Sequence, residues 1–393
     1  MSMVLVVNAG SSSLKYQFVD ADSGAVAAKG LIEQIGEPNG RLRHTVGESS
    51  FDLEKPIPDA SAAFAELDAA FAEHGPDLAA NPPVAVGHRV VHGGTRFREA
   101  TRIDDEVLAT LEELTPLAPL HNPANIVGIR AAMAHFPDIP HVAIFDTAFH
   151  RTLPPAAYTY AVPREWQERY DVRRYGFHGT SHEYVSGRVA DLVGRSDIAI
   201  VVLHLGNGCS ACAVLDGQSV ETSMGMTPLE GLVMGTRCGD LDPAIPFHLA
   251  RTTGMAAADL DRTLNKDSGL KGLTGVNDFR TVAERAEAGD AAAAAAIDVV
   301  THRLIKYVGA YAAVMGRLDA IAFTGGIGEH SPLLRARVLG SLGVLGVVLD
   351  ESANAAARGE GLLSAPQSRV AAYVVPTNEE LQIARESVAL VGR

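Results

Sequence analysis

The chain has 393 residues, of which 47% are hydrophobic and 20% charged, and this composition excludes a disordered chain and a small disulfide-stapled module. Its formal net charge of −14 excludes an overall basic surface for nucleic acid, while leaving room for a local cationic site. Three cysteines cannot form a disulfide framework, and no apolar run approaches the ~18 residues of a membrane span. With no basic leader at the N-terminus, we expect a cytoplasmic protein of two or three domains.

Two similar strand–turn–strand segments lie about half the chain apart. In each, an apolar strand runs into a turn of small residues, and a second strand ends at an aspartate, Asp20 or Asp216. The predicted strands and turns are Val4–Val7, 8–13 and 14–19 in the first segment, and 198–205, 206–210 and 211–215 in the second. A short third strand is predicted after each, at 24–26 and 217–220. The repeat favours an internal duplication of an α/β domain, with chance similarity of two hairpins as the open alternative.

The rest of the chain is predicted to alternate between helices and strands. Apolar residues at helical spacing follow Asp59, which we expect to cap that helix. Asn122 and Pro123 fit an N-cap and a first helical residue, and Thr180 with Glu183 fits a capping box. The remaining predicted elements are a helix through the Ala-rich run 291–296 and strands at 84–87, 141–145, 320–323 and 371–375. This alternation predicts helices packed on sheets.

Three Gly-rich turns are candidate phosphate cradles, because small residues let backbone N–H groups approach an anion. Two are the hairpin turns, the first of which adds a cation at Lys15, and the third is Thr324–Glu329, directly after a predicted strand. Neither hairpin turn has the spacing of a Walker loop, and neither is followed by the helix of a dinucleotide fingerprint. A purely structural turn is the open alternative for each, although two turns at matching positions favour a binding role.

Four basic side chains stand in polar contexts at predicted element ends. Arg89 follows an apolar strand in GHRVVHGG, and Arg237 lies between glycines in MGTRCGD. His121 and His178 each precede a predicted helix. A single such residue is more often structural, but together the four favour a positive clamp for the charge on a transferring phosphoryl group.

Two acidic residues that follow predicted strands are candidate ligands. Asp146 comes after the strand 141–145, where a carboxylate suits contact with metal-bound water or a nucleophile, and capping the next turn is its alternative role. Glu379 follows the strand 371–375 and offers the oxygen that Mg²⁺ prefers, and starting a helix is its alternative role. Cys209 and Cys212 form a C-x2-C, but a zinc site needs two further ligands and these side chains point to opposite faces of a strand. We therefore expect no metal or redox role for them.

A series of motifs, in order over essentially the whole chain, closely resembles the acetokinase family. The motifs are VLVVNAGSSSLKY, GHRVVHGG, PLHNP, FDTAFH, RYGFHGTSH, HLGNG, MTPLEGLVMGTRCGDLDP, FTGGIGE and PTNEEL. The resemblance implies the duplicated sugar-kinase/heat-shock-70/actin (ribonuclease H-like) fold, an α/β fold of two domains with a cleft. It implies an N-terminal acyl-kinase domain at 1–147 plus 382–393, and a C-terminal nucleotide-binding domain at 148–381.

The resemblance also implies the activity and its partners. These are reversible phosphoryl transfer from ATP to acetate, giving ADP and acetyl phosphate, with Mg²⁺ (or Mn²⁺ in its place) as cofactor. A homodimer is implied, with no nucleic acid and no membrane as partner. For catalysis, Asp146 resembles the active-site acid, Arg89 the residue that holds the carboxylate and the transferring phosphoryl group, and His178 and Arg237 the transition-state stabilisers, with His121 beside them.

The binding positions implied by the resemblance fall into four sets. By this resemblance, the family's apolar pocket for the acetate methyl group corresponds to Val91, Leu120 and Pro228. Its magnesium positions correspond to Asn8 and Glu379. Lys15 resembles a contact to the nucleotide phosphates. Three segments of this chain resemble the family's ATP-binding segments. They are His204, Leu205, Gly206, Asn207 and Gly208; Asp278, Phe279 and Arg280; and Gly325, Gly326, Ile327, Gly328 and Glu329. Cys209 stands where we expect Gly, Ala or Ser in many relatives, and a thiol there would sensitise ATP binding to oxidants.

The residue types suit this reaction on physical grounds. A carboxylic acid titrates near pH 4, so the acceptor is already an anion and needs no general base. The barrier is then the repulsion between this anion and the γ-phosphate, which Arg89, Arg237 and His178 are placed to offset. We therefore expect direct in-line transfer, with Asp146 orienting Mg²⁺ or its water.

Three rival functions stay open. A propionate or butyrate kinase of the same family differs by one or two methylenes, each worth about 1–3 kcal/mol in a pocket. A sugar or glycerol kinase fits less well, because clustered Arg and His suit an anion better than a polyol. A non-catalytic, chaperone-like ATPase would require a peptide-binding domain, for which 393 residues of duplicated core leave no room.

Overall fold

The computed structural model describes residues 2–392. The chain divides into two compact units, one made of Met1–Phe149 and Asn378–Arg393 and the other of His150–Thr377. Each unit contains one mixed β-sheet on which helices pack. Among the described residues, no helix is both long enough and apolar enough to cross a membrane.

The first unit is built on an eight-stranded sheet. Its strands are β1 (Met3–Ala9), β2 (Ser13–Asp20), β3 (Val26–Glu33), β4 (Arg41–Val46), β5 (Ser49–Glu54), β6 (Ala85–Val90), β7 (Thr101–Arg102) and β8 (His141–Phe145). The spatial order is β5-β4-β3-β2-β1-β6-β8-β7. Strands β1, β6 and β8 are mutually parallel, β1 to β5 form an antiparallel meander, and β7 pairs antiparallel with β8. The predicted opening hairpin is confirmed.

Helices cover both faces of this sheet. They are α1 (Ala60–His74), α2 (Asp105–Glu113), α3 (Asn122–His135) and the C-terminal helix (Glu379–Val391), with a 3-10 turn at Thr115–Leu117. Helix α3 packs so closely that Gly128 lies against Ala9 of β1. Gly87 of β6 lies against Ile383 and Ser387 of the C-terminal helix. Because Gly87 pairs with Val6, whose side chain points away from that of Ala9, the C-terminal helix and α3 lie on opposite faces.

The second unit repeats this plan in a six-stranded sheet. Its strands are β9 (Ala199–Leu205), β10 (Cys209–Leu215), β11 (Gln218–Thr222), β12 (Ala320–Thr324), β13 (Gly361–Leu362) and β14 (Ala371–Val374), in the order β11-β10-β9-β12-β14-β13. An antiparallel β9–β10–β11 meander is followed by parallel β12 and β14 and a short antiparallel edge strand, as in the first unit. The predicted duplicated α/β fold is confirmed.

Helix α11 is the longest helix of the second unit and packs on β9, β10 and β11. It spans Ala291–Met315, so the helical prediction for the Ala-rich run is confirmed; Asp290 caps its start and Gly316, in the left-handed conformation, ends it. The other helices are α4 (Pro155–Tyr158), α5 (Arg164–Tyr170), α6 (Gly179–Val193), α7 (Ala244–Thr253), α8 (Ala257–Lys266), α9 (Gly269–Thr274), α10 (Phe279–Glu287), α12 (Gly325–His330), α13 (Pro332–Gly340) and α14 (Glu351–Ala356), with 3-10 turns at Ala148–Thr152 and Gly343–Leu345.

Three local predictions were wrong. The third strand of the first unit starts only at Val26, because residues 21–25 form a turn with Gly24 at φ +76°. Helix α3 begins at Asn122 with His121 at the N-cap position, and the Asn122 side chain instead donates to the carbonyl of His92 (Nδ2···O 3.1 Å). Helix α6 begins at Gly179, so Thr180 lies inside the helix and makes no capping bond.

The parallel strands bring their carboxyl ends to one edge of each sheet. In the first unit these ends belong to β1, β6 and β8, and in the second unit to β9, β12 and β14. Ligands in open α/β sheets bind outside the carboxyl ends of the strands. The loops that follow these six strands are therefore the places to look for a site.

The contact between Gly128 and Ala9 gives a stability prediction. In the interior of a helix, alanine is normally more favourable than glycine by about 1 kcal/mol. A Cβ at position 128 would lie 2.3 Å from the Cβ of Ala9, whereas at Gly187, exposed in α6, it would meet no atom within 4 Å. We expect Gly128→Ala to lower the free energy of unfolding by about 1–3 kcal/mol and Gly187→Ala to leave it unchanged or raise it. Denaturant unfolding of both variants measures this, and equal effects would show that α3 does not pack this closely.

Candidate active site

In the first unit, three predicted site residues lie at the carboxyl ends of the parallel strands. Asn8 is near the end of β1 and Arg89 near the end of β6. Asp146 directly follows β8, and its backbone N–H donates to the carbonyl of Val90 (N···O 3.0 Å). The strand register thus places a guanidinium, a carboxylate and an amide at one sheet edge.

Arg89 is held by carboxylates on two sides. Its Nε and Nη2 donate to Oδ1 and Oδ2 of Asp146, both at 2.8 Å, and its Nη1 lies 3.3 Å from Oε2 of Glu379. Burial by itself would lower the pKa of Arg89, but the charges of Asp146 and Glu379 outweigh it and hold the pKa above its usual value. Asp146 is buried and uses both carboxylate oxygens, so its observed contacts fix the guanidinium and do not cap a turn.

The acids around Arg89 leave the edge with surplus negative charge. Three carboxylates lie here, those of Asp146, Glu379 and Glu380. They face two cations: Arg89, and Lys15, which pairs with Glu380. Oε2 of Glu379 is buried and accepts no hydrogen bond, and its ion pair with Nη1 of Arg89 at 3.3 Å leaves it able to bind a further cation. Within residues 2–392, no cluster of three or more His, Cys, Asp or Glu side chains forms a metal site. A cation at Glu379 would therefore keep water or substrate oxygens as its other ligands, as Mg²⁺ does.

Asn125 of α3 is a site-building residue that sequence reasoning missed. Its Nδ2 donates to the carbonyl of Ala9 at 2.8 Å, and its Oδ1 accepts from the N–H of Val91 at 3.2 Å. It thereby ties the chain after β1 to the chain after β6. The one sequence signal was an asparagine next to the apolar residue Ile126 on a predicted helix.

The positions predicted to bind the acetate methyl group lie in both units. In the first, Val91 is half-buried and Leu120 is 61% exposed, with His121 after it as the N-cap of α3. In the second, Pro228 is half-buried and its carbonyl accepts from Nη1 of Arg237 at 2.7 Å. Their roles stay predictions.

In the second unit, Arg237 and His178 converge on Gly208 in the loop after β9. A Cβ built at Gly208 would lie 2.8 Å from Nη2 of Arg237 and 3.5 Å from Nε2 of His178. A side chain at position 208 would therefore displace the guanidinium of Arg237, while the His178 ring would stay in ordinary van der Waals contact. The loop itself is fixed by Gly235, whose N–H donates to the carbonyl of Asn207 at 2.9 Å, and by Asn277, whose Nδ2 donates to Oδ1 of Asn207 at 3.3 Å.

Arg237 differs from Arg89 in its electrostatic surroundings. Its guanidinium makes no ion pair with a carboxylate of the described residues and donates to the neutral carbonyl of Pro228. Burial lowers the pKa of Arg237, and the thiol of Cys209 opposes this only in part. A partly desolvated cation with no carboxylate partner is complementary to an anion.

A cavity of about 1080 Å³ lies beside the same loop and is large enough for a nucleotide. Seven residues of the predicted ATP-binding segments line it: Gly206, Asn207, Asp278, Phe279, Arg280, Gly326 and Ile327. The three segments come together because the loops after β9 and β12 share a sheet edge and Asp278 caps the adjacent helix α10.

The other predicted ATP-binding residues do not line this cavity. Gly325, at φ +75°, lies against the backbone of Leu205, and a Cβ at Gly328 would contact the backbone of Phe323. Oε1 of Glu329 accepts from the N–H of Gly325 at 3.0 Å, and Nδ1 of His204 is bonded to Ser181 at 2.7 Å. These contacts hold the loops, and any contact to ATP stays a prediction.

The surroundings of both cysteines of the C-x2-C pair disfavour their thiolates. Cys209 and Cys212 are both buried in β10, and burial raises the pKa of each thiol to about 12. Because the thiolate is the nucleophile and the metal ligand, burial disfavours both roles in each side chain. Oxidant sensitivity through Cys209 is therefore not expected from its surroundings.

Comparison with known proteins settles the family. The model of the acetokinase family matches residues 3–385. The chain belongs to the acetokinase family. It is 57% identical to an acetate kinase of Leifsonia xyli over 395 residues, which cover all of both chains.

Solved structures of acetokinase relatives match the whole fold. An acetate kinase of Porphyromonas gingivalis superposes with a TM-score of 0.95 at 41% identity, covering all of both chains. A propionate kinase of Francisella tularensis superposes with a TM-score of 0.94 at 40% identity, covering 99% of this chain and all of that one. Both similarities extend through both units, so neither unit is an addition to the acetokinase fold.

Proposed function

We propose that the protein is an acetate kinase, which transfers a phosphoryl group reversibly between ATP and acetate. The observation that carries the proposal is the convergence of Arg237 and His178 on Gly208, next to a nucleotide-sized cavity. An acceptor that is itself an anion needs cations at the transferring group and no base. The name acetate kinase on relatives that match the full chain supports the same reaction.

The reaction is a direct in-line displacement. A carboxylate oxygen of acetate forms a bond to the γ-phosphorus while the bond to the bridging oxygen of ADP breaks, and ADP leaves with that electron pair. No proton is removed, because acetate is ionised at neutral pH. Arg237 and His178 offset the charge on the transferring oxygens.

The first unit supplies the site for the acceptor. Asp146 takes two of the five N–H donors of Arg89 and fixes the plane of the guanidinium, and an oxyanion would meet the remaining donors on the side that Glu379 approaches. The Coulomb attraction of the neighbouring acids keeps Arg89 charged. Asp146 thus acts here by positioning Arg89, and acetate needs no deprotonation by it.

A divalent cation fits the same edge, and we propose Mg²⁺, with Mn²⁺ as a substitute. Glu379 would hold it through the buried Oε2 that accepts no hydrogen bond, and the half-buried Asn8, near the end of β1, is the second ligand we assign. When bound, Mg²⁺ neutralises charge on the nucleotide phosphates. Lys15 lies on this edge as a further cation, paired with Glu380.

Propionate is the second candidate acceptor, because a propionate kinase structure matches at a TM-score of 0.94. One extra methylene changes binding by about 1–3 kcal/mol, so we expect propionate to react more slowly than acetate. The comparisons give no support to a chaperone-like ATPase.

Acyl phosphate formation tests the proposed function. With ATP and Mg²⁺, hydroxylamine should trap an acyl hydroxamate when acetate is the acceptor. The kcat/KM for propionate should be about 10- to 100-fold lower than that for acetate, and the kcat/KM for butyrate should be the lowest. ADP release should depend on added acid. Release of ADP without any acid, and no hydroxamate, would contradict the proposal; a preference for propionate would reassign the substrate.

Replacement of Arg237 tests the cationic clamp. Arg237→Ala should lose at least about 2 kcal/mol of transition-state stabilisation, because it removes a donor aimed at the transferring group. Arg237→Lys should recover only part of kcat, since a point charge cannot reproduce the guanidinium fork. Arg280→Ala, in the lining of the cavity, serves as a comparison that should raise the KM for ATP more than it lowers kcat. Normal turnover of Arg237→Ala would contradict the clamp.

We also propose that the protein is a cytoplasmic homodimer. Helix α7 buries none of its ten residues, and exposed apolar side chains lie on it and beside it: Leu241, Ile245, Phe247 and Met255. A short helix with no buried face gains little stability on its own, so a second copy of the chain is the occupant we assign to this apolar surface. Three cysteines that form no disulfide suit the cytoplasm.

Phe247, which is 66% exposed, is the residue to change. Phe247→Asp should raise the dimer dissociation constant at least about tenfold, because it places a charge in an apolar contact. Val127→Asp, at an exposed apolar residue of α3, is the matched control and should leave the mass unchanged. Analytical ultracentrifugation measures both. A wild-type monomer, or equal behaviour of the two variants, would contradict this interface.

A further inference from the structure

Two histidines at the proposed site lie ring on ring, and each is bonded to a serine through the same nitrogen. The rings of His178 and His204 stack with centroids 4.3 Å apart. Nδ1 of His178 lies 2.9 Å from Oγ of Ser210, and Nδ1 of His204 lies 2.7 Å from Oγ of Ser181. The strand register places Ser210 opposite His204, so β9 and β10 present both side chains on one face.

Ser210 is shared between two imidazoles. Its Oγ lies 2.9 Å from Nδ1 of His178 and 2.7 Å from Nε2 of His182, one turn further along α6. Ser210 and His182 are both fully buried. The hydroxyl has one proton, so at least one of the two rings must donate to its oxygen. If both rings donated, the buried hydroxyl proton would have no acceptor in these bonds, so one ring donates and the other accepts.

The surroundings of His182 decide the direction. Burial lowers the pKa of His182 well below its usual value, and the proximity of His150 and His204 lowers it further, so its ring is neutral and carries one proton. Nδ1 of His182 is buried without a hydrogen-bond partner. A proton on Nδ1 would bury an unpaired N–H, which proteins avoid more strictly than an unpaired acceptor. The proton therefore sits on Nε2, and His182 donates to Ser210.

We propose that Ser210, oriented by His182, is a positioning residue that holds His178 as the tautomer with its proton on Nε2. Since Ser210 accepts from His182, its own proton goes to Nδ1 of His178, which must be an acceptor. Nε2 is then the donor of the His178 ring, and it is this atom that faces Gly208 beside Arg237. The inference rests on the proposed function, in which His178 stabilises the transferring phosphoryl group, and it adds that the ring does so as a neutral hydrogen-bond donor beside the charged Arg237.

Two further observations concern how these rings are held. His178 sits in the left-handed conformation at φ 57°, an uncommon state for a residue with a side chain, which fixes where its ring leaves the backbone. The ring of His204 is held by a similar chain of hydrogen bonds. Oγ1 of Thr377 donates to Oγ of Ser181 at 2.8 Å, which leaves the Ser181 proton for Nδ1 of His204.

Kinetics of serine variants test the role of Ser210. Ser210→Ala should lower kcat by about 10- to 100-fold while the KM values for ATP and acetate change less than about twofold. In a His178→Ala background, Ser210→Ala should have no further effect, because it acts through that ring. Ser219→Ala is the matched control: it removes another buried serine–histidine bond, to Nδ1 of His150 at 2.8 Å, and should leave kcat unchanged.

Nitrogen NMR of the ¹⁵N-histidine-labelled protein gives a readout that needs no activity. Nδ1 of His178, assigned by its loss in His178→Gln, should show the shift of an unprotonated, pyridine-type nitrogen, and Ser210→Ala should redistribute that tautomer. A protonated Nδ1 in the wild-type protein would overturn the inference even if Ser210→Ala failed to fold. So would normal kcat in Ser210→Ala, or an equal loss in the His178→Ala background. A wild-type protein that forms no acyl phosphate would refute the proposed function, while the NMR result would still decide the tautomer.

Discussion

The constraint on which this structure depends is the cost of placing positive charge out of water. A guanidinium that leaves bulk solvent must find either an anion of the protein or an anion of a ligand. Arg89 has the first, in a two-bond contact with Asp146 and the approach of Glu379. Arg237 has no carboxylate partner among the described residues and rests on the carbonyl of Pro228. The two arginines are thus prepared differently, one oriented in advance and one left for an anion to neutralise.

The duplicated fold explains how such groups reach one edge of a sheet in each unit. Both units place a hairpin, two further parallel strands and a short edge strand in the same order. The shared plan dictates only that loops meet at the carboxyl ends, and the residues after the strands differ. Asn8, Arg89 and Asp146 make the first edge a polar, charged one, whereas the loops after β9 and β12 make the second an edge of glycines beside a cavity. One architecture therefore presents two chemistries.

The elements set by local interactions could be predicted from the sequence. The hairpin turns, the Asp59 cap of α1 and the Ala-rich helix α11 depend on residues close together in the chain, and all three were correct. Two of the three wrong predictions share a different cause. Asn122 has good capping chemistry, but the carbonyl of His92, distant in sequence, takes its amide. Thr180 has the spacing of a capping box, but the left-handed backbone at His178 starts the helix one residue before it. In both cases a tertiary contact or a strained backbone outweighed a local preference.

The charged groups of the candidate site could be predicted from the sequence, but the hydrogen bonds and ion pairs between them could not. The motifs pointed to Arg89, Asp146, His178 and Arg237, but which acid holds which cation depends on strand register. The sequence did not single out three polar neutral residues, Asn125, Ser181 and Ser210. A buried amide or hydroxyl shows its role only when its hydrogen-bond partner is known.

These neutral groups matter because charge alone does not aim a hydrogen bond. A guanidinium offers donors on every edge, whereas a neutral imidazole offers one donor, and its position is set by what bonds to the other nitrogen. At an edge that already carries Arg237, a second full cation would add desolvation cost and repel the first. A neutral ring with its single donor directed by a serine adds direction without that repulsion. The buried His182, kept uncharged by its surroundings, supports that arrangement by donating to the serine from behind.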